Sequence, residues 1–154
     1  MAITGDHQFY LPSRTFQWGD GTSYPVVRFN PNRVTAQRNP IKRVGSDGSI
    51  LPRSDLLGER IVEFELQVEG SSRADLQTKI DALAAAAVPL AAGDEVLQWQ
   101  ILGSLRRVNC RPDPPKWLWE EEGDLGLLVA NVEWAFFCQD PRIYIDSTSS
   151  VVLA

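Results

Sequence analysis

Between residues 60 and 69 the chain alternates without a break, with Val62, Phe64, Leu66 and Val68 in one set and Glu63, Glu65, Gln67 and Glu69 in the other. A period of two places the sets on opposite faces of an extended strand, and a register slip of one residue would drive three glutamates into a core. This segment therefore demands a sheet with one face covered and one face polar. A second long strand is expected at residues 126–138, where Leu128, Ala130, Val132, Trp134, Phe136 and Cys138 share a face. Its other face, Leu127, Val129, Asn131, Glu133, Ala135 and Phe137, is also mostly apolar, which suits a central strand or one covered by a partner. Shorter strands are expected at residues 9–11, 16–18, 24–29, 95–102 and 105–111. The last two flank Gly103-Ser104, a two-residue connection that begins on glycine as a type II′ hairpin requires. Leu97, Trp99 and Ile101 then share a face, with Gln98 and Gln100 opposite.

One segment has a different period. Ser72 is placed as an N-cap with Asp75 three residues on, and Leu76, Ile80, Leu83 and Ala87 follow as one apolar helical stripe. Pro89 ends this helix near Val88, so it spans residues 72–88. The small residues 84–87 allow close approach to a sheet, and the helix is expected to pack across or beside the strands; the alternative is an alanine-rich helix inserted into a partner. Eleven glycines and ten prolines in 154 residues favour many short elements joined by tight turns. The expectation is a single β-rich domain over residues 1–146 with a short tail over 147–154.

Residues 30–55 have little core potential, being dominated by Pro31, Arg33, Arg38, Pro40, Lys42, Arg43, Gly45, Asp47, Gly48, Pro52 and Arg53. Asp47-Gly48 is a hairpin-turn signal, so residues 41–44 and 49–51 are expected to form an extended basic arm. A two-stranded ribbon is marginal in water and gains stability by lying on a neighbour; the alternative is a plain surface loop.

Composition narrows the chemistry. The net charge of −5 argues against a nucleic-acid surface, which needs a concentrated basic footprint. The charge is unevenly spread: residues 1–60 carry 8 basic and 5 acidic side chains, and residues 61–154 carry 7 and 15. Such polarity suits head-to-tail contact between identical copies. No apolar run reaches the roughly 18 residues of a membrane span, and the first residues lack the pattern of a secretion signal. Cys110 and Cys138 are too few and too far apart for a disulfide framework or a zinc knuckle and read as buried thiols. His7 is the only histidine and sits near a terminus expected to fray, which leaves no partner set for nucleophilic catalysis. The phosphate-loop, dinucleotide and nucleophile-elbow signatures are missing, and Gly19-Asp20-Gly21 reads as a turn. Glu120, Glu121, Glu122 and Asp124 offer carboxylates for glycoside hydrolysis but fit a solvated loop more simply. No enzyme activity, cofactor or metal is expected.

Taken in order, the strands, basic arm, long alternating strand after Gly58-Glu59-Arg60, helix, hairpin, apolar strand and Gln139-Asp140-Pro141-Arg142-Ile143-Tyr144 resemble the N-terminal domain of distal tail proteins of long-tailed bacteriophages, especially minor tail proteins of phages infecting actinobacteria. Three segments carry the likeness. They are Asp47-Gly48-Ser49-Ile50-Leu51-Pro52-Arg53-Ser54-Asp55-Leu56-Leu57-Gly58-Glu59-Arg60, the helix, and Phe137-Cys138 leading into the Asp140-Pro141-Arg142 run.

The resemblance implies a mainly β, α+β fold: a β-sandwich or split-barrel-like domain with one packed helix and a protruding hairpin arm. It implies six copies closing into a homo-oligomeric ring that continues the tail tube protein, docks the tail-tip hub or fibre proteins and lets DNA pass. Assembly would take place in the host cytoplasm, and the product would reside in the virion tail without membrane insertion. Many relatives continue past the Asp140-Pro141-Arg142 segment into a second, carbohydrate-binding-like domain, so the chain is expected to be either a ring-only form or a shortened product. Within this frame Arg33, Arg38, Lys42, Arg43 and Arg53 on the arm are expected to contact acidic residues of the adjacent subunit or the next ring. Glu63, Glu65 and Glu69 are candidates for a bore lining that repels the duplex, the alternative being an ordinary solvent-facing surface. Two other functions stay open: a tail tube subunit, and a monomeric β-sandwich module binding a carbohydrate or peptide on Trp117 and Trp119.

Overall fold

The computed structural model describes residues 3–37, 41–42, 49–50, 56–119, 128–145 and 152–153, with the side chains of 35–37, 41–42, 49–50, 56–57, 117–119 and 152–153 excepted. The strands are β1 (Gln8–Leu11), β2 (Phe16–Gly19), β3 (Val26–Gln37), β4 (Ile41–Lys42), β5 (Ser49–Ile50) and β6 (Leu56–Gly70), followed after the helix α1 (Arg73–Ala86) by β7 (Glu95–Ile101), β8 (Ser104–Pro112), β9 (Lys116–Trp119), β10 (Leu128–Cys138), β11 (Ile143–Ile145) and β12 (Val152–Leu153). All pairings are antiparallel, in the order β2-β1-β7-β8-β10-β6-β3, with β11 and β12 extending from β8, and β9 on β10.

The sheet folds back on itself into two facing layers. Phe9 and Trp18 in the β1–β2 half meet Phe64, Trp134 and Phe136 in the β6–β10 half, with ring centroids 4.8 Å apart for Phe9–Phe64 and 5.1 Å for Trp18–Trp134. The two halves share ladder rungs where Pro112 faces Phe136 and Arg111 faces Phe137. The fold is thus mainly β with one helix, and sandwich-like.

The alternation in β6 is realised as read: Val62, Phe64, Leu66 and Val68 are buried while Glu63, Glu65, Gln67 and Glu69 face outward. β10 is central, paired with β6 from Leu128 to Cys138 and with β8 and β9 on its other side. In α1 the Ser72 hydroxyl accepts from the Asp75 amide, worth about 1 kcal/mol for such caps. Leu76, Ile80, Leu83 and Ala86 are the buried stripe, with Ala87 beside it. The helix packs on β6 and β10, and a Cβ on Gly70 would come within 2.6 Å of the Leu76 Cβ, so the strand-to-helix corner requires glycine.

Three expectations need correction. β3 is far longer than residues 24–29, because bulges between Val26 and Arg28, between Asn30 and Arg33, and between Val34 and Ala36 let an edge strand containing Pro31 follow β6 through the expected arm region. The β7–β8 turn is not Gly103-Ser104. Ile101 pairs with Ser104, so the loop is Leu102-Gly103, with φ of 52° and 71° and the type I′ twist that suits a hairpin. The Gly103 amide donates to the Asp6 carboxylate, which holds this register. That contact, with the His7 amide bound to the Gln100 carbonyl, also ties down the segment around His7 that was expected to fray. β4 and β5 pair with each other, Ile41 opposite Ile50 and Lys42 opposite Ser49. The Asp47-Gly48 turn lies outside the described residues.

Candidate functional site

The outward face of β3, β6 and β10 is where the chain presents chemistry. The strand registers align a row across it: Arg28 faces Glu65, Glu65 faces Glu133, and Glu133 faces Lys116. Two carboxylates side by side in a ladder repel each other, and the cations at both ends of the row offset that repulsion. In the next row Asn30 faces Glu63, which faces Ala135, and the Arg33 guanidinium reaches Glu63 at 2.6 Å. A groove of about 350 Å³ runs over these rows and beneath the loop at Asp113 and Pro114. The loop is fixed from below, because the Trp134 indole donates to the Asp113 carbonyl at 3.0 Å and the Asp113 amide donates to Ala135 at 2.9 Å.

This surface is mixed in sign, polar and partly concave. An exposed pair such as Arg33–Glu63 is worth about 0–1 kcal/mol and exchanges readily for an intermolecular partner of similar quality. Among the described residues no group of three or more His, Cys, Asp or Glu could hold a metal ion.

Of the residues singled out from sequence, Arg33, Glu63 and Glu65 come together here, while Glu69 is exposed further along β6. Arg38, Arg43 and Arg53 lie outside the described residues, as do Glu120, Glu121, Glu122 and Asp124; Lys42 is placed only by its backbone in β4. Trp117 and Trp119 occupy register positions opposite Val132 and Ala130, and their side chains are likewise outside the description. Sequence reasoning missed Arg28, Lys116 and Glu133. Glu133 was legible as a polar position on the outer face of β10, but which cation stands beside it depends on strand order.

Two further polar clusters lie away from this face. Arg60, opposite Cys138 in the ladder, is buried; it donates to the Pro141 carbonyl at 2.6 Å and to the Pro31 carbonyl at 2.5 Å. Burial pulls its pKa below the usual arginine value. Asp140 accepts from the Arg142 amide and, at 2.6 Å, from the Tyr144 hydroxyl. The Gly58-Glu59-Arg60 and Asp140-Pro141-Arg142 segments are thereby bolted to each other and to the bulge in β3. At the other end, Glu95 is buried against Arg14 and accepts from the Ser13 hydroxyl, while Arg14 also donates to the Ala85 and Val88 carbonyls at the end of α1.

With this geometry in place, comparison with known proteins adds one finding. The fold resembles that of SPP1 Dit. The match, to the crystal structure of Dit (gp 19.1), has a TM-score of 0.62 at 22% identity and covers 80% of this chain and 47% of that one. The chain therefore spans about half the length of the structure it matches. Dit is described as a paradigm of the hub adsorption apparatus in phages that infect Gram-positive bacteria. No family model matches the chain, and no curated protein does.

Proposed function

We propose that this chain is a structural, non-catalytic protein of a bacteriophage tail, six copies of which close into a ring at the distal end, joining the tail tube to the tip hub and leaving a bore for DNA. The observation that carries the reading is the likeness of fold to Dit over 80% of the chain. The three segments that resembled distal tail proteins add to it, since two of them meet at the Arg60–Pro141 hydrogen bond. A ring needs a heterologous interface that closes by rotation, and the basic first part of the chain against the acidic remainder is suited to one.

In this reading the arm cations Arg38, Lys42, Arg43 and Arg53 reach acidic groups of the next copy. Arg33 joins them by exchanging its own Glu63 for a neighbour's carboxylate. The face bearing Glu63, Glu65 and Glu69 is then offered to the bore, and a reconstruction of the assembled particle reads directly which face lines it.

The test is solution mass together with electron microscopy of the purified chain. Annular particles are expected at low salt, loosening as ionic strength rises, with Lys42→Glu/Arg43→Glu left as monomers. A chain that stays monomeric at every concentration, or rings indifferent to both salt and charge reversal, would refute the assembly mode.

A further inference from the structure

Cys110 and Cys138 are the only cysteines of the chain, and the fold makes neighbours of them. β8 and β10 pair at Pro112–Phe136 and Arg111–Phe137, and one more step in that register sets Cys110 opposite Cys138. Both side chains lie on the core face with 0% exposure. They interact directly: the hydrogen bond with Cys138, and after it burial, pushes the Cys110 thiol well above its ordinary range. Residues directly opposed in an antiparallel ladder have Cα atoms about 4.5 or 5.5 Å apart, according to the type of rung. Both separations fall inside the window of about 4.4–6.8 Å that a disulfide spans, which puts the two sulfurs within bridging reach.

We propose that Cys110 and Cys138 form an intrachain disulfide site that locks the β8–β10 seam, where the two layers of the sandwich share their rungs, and that it closes by exchange with a small-molecule disulfide. The structure holds the dithiol form. Cys138 is the last residue of β10 and fully buried, with Arg60 opposite it tied to Pro141, so the exchange waits on a transient opening of this end of the strand. The Cys138 thiolate attacks one sulfur of the small disulfide, giving a mixed disulfide and a small thiolate that takes up the proton Cys138 released. With Cys138 now in the mixed disulfide, the hydrogen bond that held Cys110 protonated is gone, and in the opened strand end Cys110 deprotonates and attacks the Cys138 sulfur, expelling the second small thiolate, which takes up the Cys110 proton. The two protein thiols lose two electrons and the small disulfide gains them, ending as two thiols. The bridge encloses β9 in a covalent loop and should raise Tm by roughly 5–15 °C.

The inference does not depend on the tail reading, and its test uses the whole chain. The protein is incubated with oxidised glutathione at mildly alkaline pH, denatured, and alkylated with N-ethylmaleimide. The expected result is loss of both alkylatable thiols, a product of monomer mass on a non-reducing denaturing gel, no retained glutathione, and a raised Tm that dithiothreitol reverses. Stable glutathione adducts, disulfide-linked dimers, or two thiols still free after incubation near the onset of unfolding would each overturn it.

Discussion

Replacing Arg14 by alanine should be among the most costly single changes at a polar residue of this protein. Glu95 has a side chain only 1% exposed and Arg14 one only 12% exposed, and they meet through two guanidinium nitrogens, at 3.1 and 3.2 Å. Removing the cation leaves a buried carboxylate with the Ser13 hydroxyl as its remaining partner, and also frees the carbonyls of Ala85 and Val88. Breaking a buried pair from one side costs about 3–5 kcal/mol; with a urea m-value of about 2 kcal/mol/M, the unfolding midpoint should fall by roughly 1.5–2.5 M. Tryptophan fluorescence is the natural assay, because Trp18, Trp99 and Trp134 are all within the core. The double replacement Arg14→Met/Glu95→Leu should return most of the loss, since no charge is then left buried, and Ser13 is exposed and can bond to water. A midpoint shift below about 0.5 M for Arg14→Ala would mean that the pair is worth no more than a surface one, and would refute the reasoning.

Two other outcomes follow from local geometry. Leu102 is 89% exposed and holds a left-handed φ of 52° in the β7–β8 turn, so Leu102→Asn, which makes the favoured Asn-Gly pair, should stabilise by about 1 kcal/mol in the same urea assay; an unchanged or lower midpoint would count against strain there. The Asp75 carboxyl is held below its ordinary value, first by the Ser71 amide and then by Lys79, so its contribution is present above about pH 4 and is lost as pH falls through the lowered folded-state value. Thermal melts should therefore show wild type ahead of Asp75→Asn at neutral pH and the gap closing toward pH 2, whereas a gap independent of pH would point to lost packing instead.

Much of the fold was legible because its signals are local. The alternation in β6, the two-sided apolar character of β10 and the Ser72 cap of α1 each depend on residues within a turn or a strand of one another, where sterics and side-chain period act without help from the rest of the chain. The β7–β8 turn was misplaced by one residue because Gly103 satisfies either turn type, and the deciding hydrogen bond from its amide is accepted by Asp6, 97 residues earlier in the chain. The length of β3 was hidden because Pro31, which reads as a strand breaker, is tolerated at a bulge on an edge strand.

Sequence alone determined that the chain is β-rich with one helix, which faces of its main strands are buried, and that its charges are unequally divided, since these are properties of spacing and composition. Tertiary structure alone decided which charges stand side by side on the outer face, why Glu95 is tolerated in the core, and that Cys110 meets Cys138. Arg14 and Glu95, like Arg60 and Pro141, are 81 residues apart. No local pattern encodes such a partnership; it exists only once burial of the aromatic core has set the order and register of the strands.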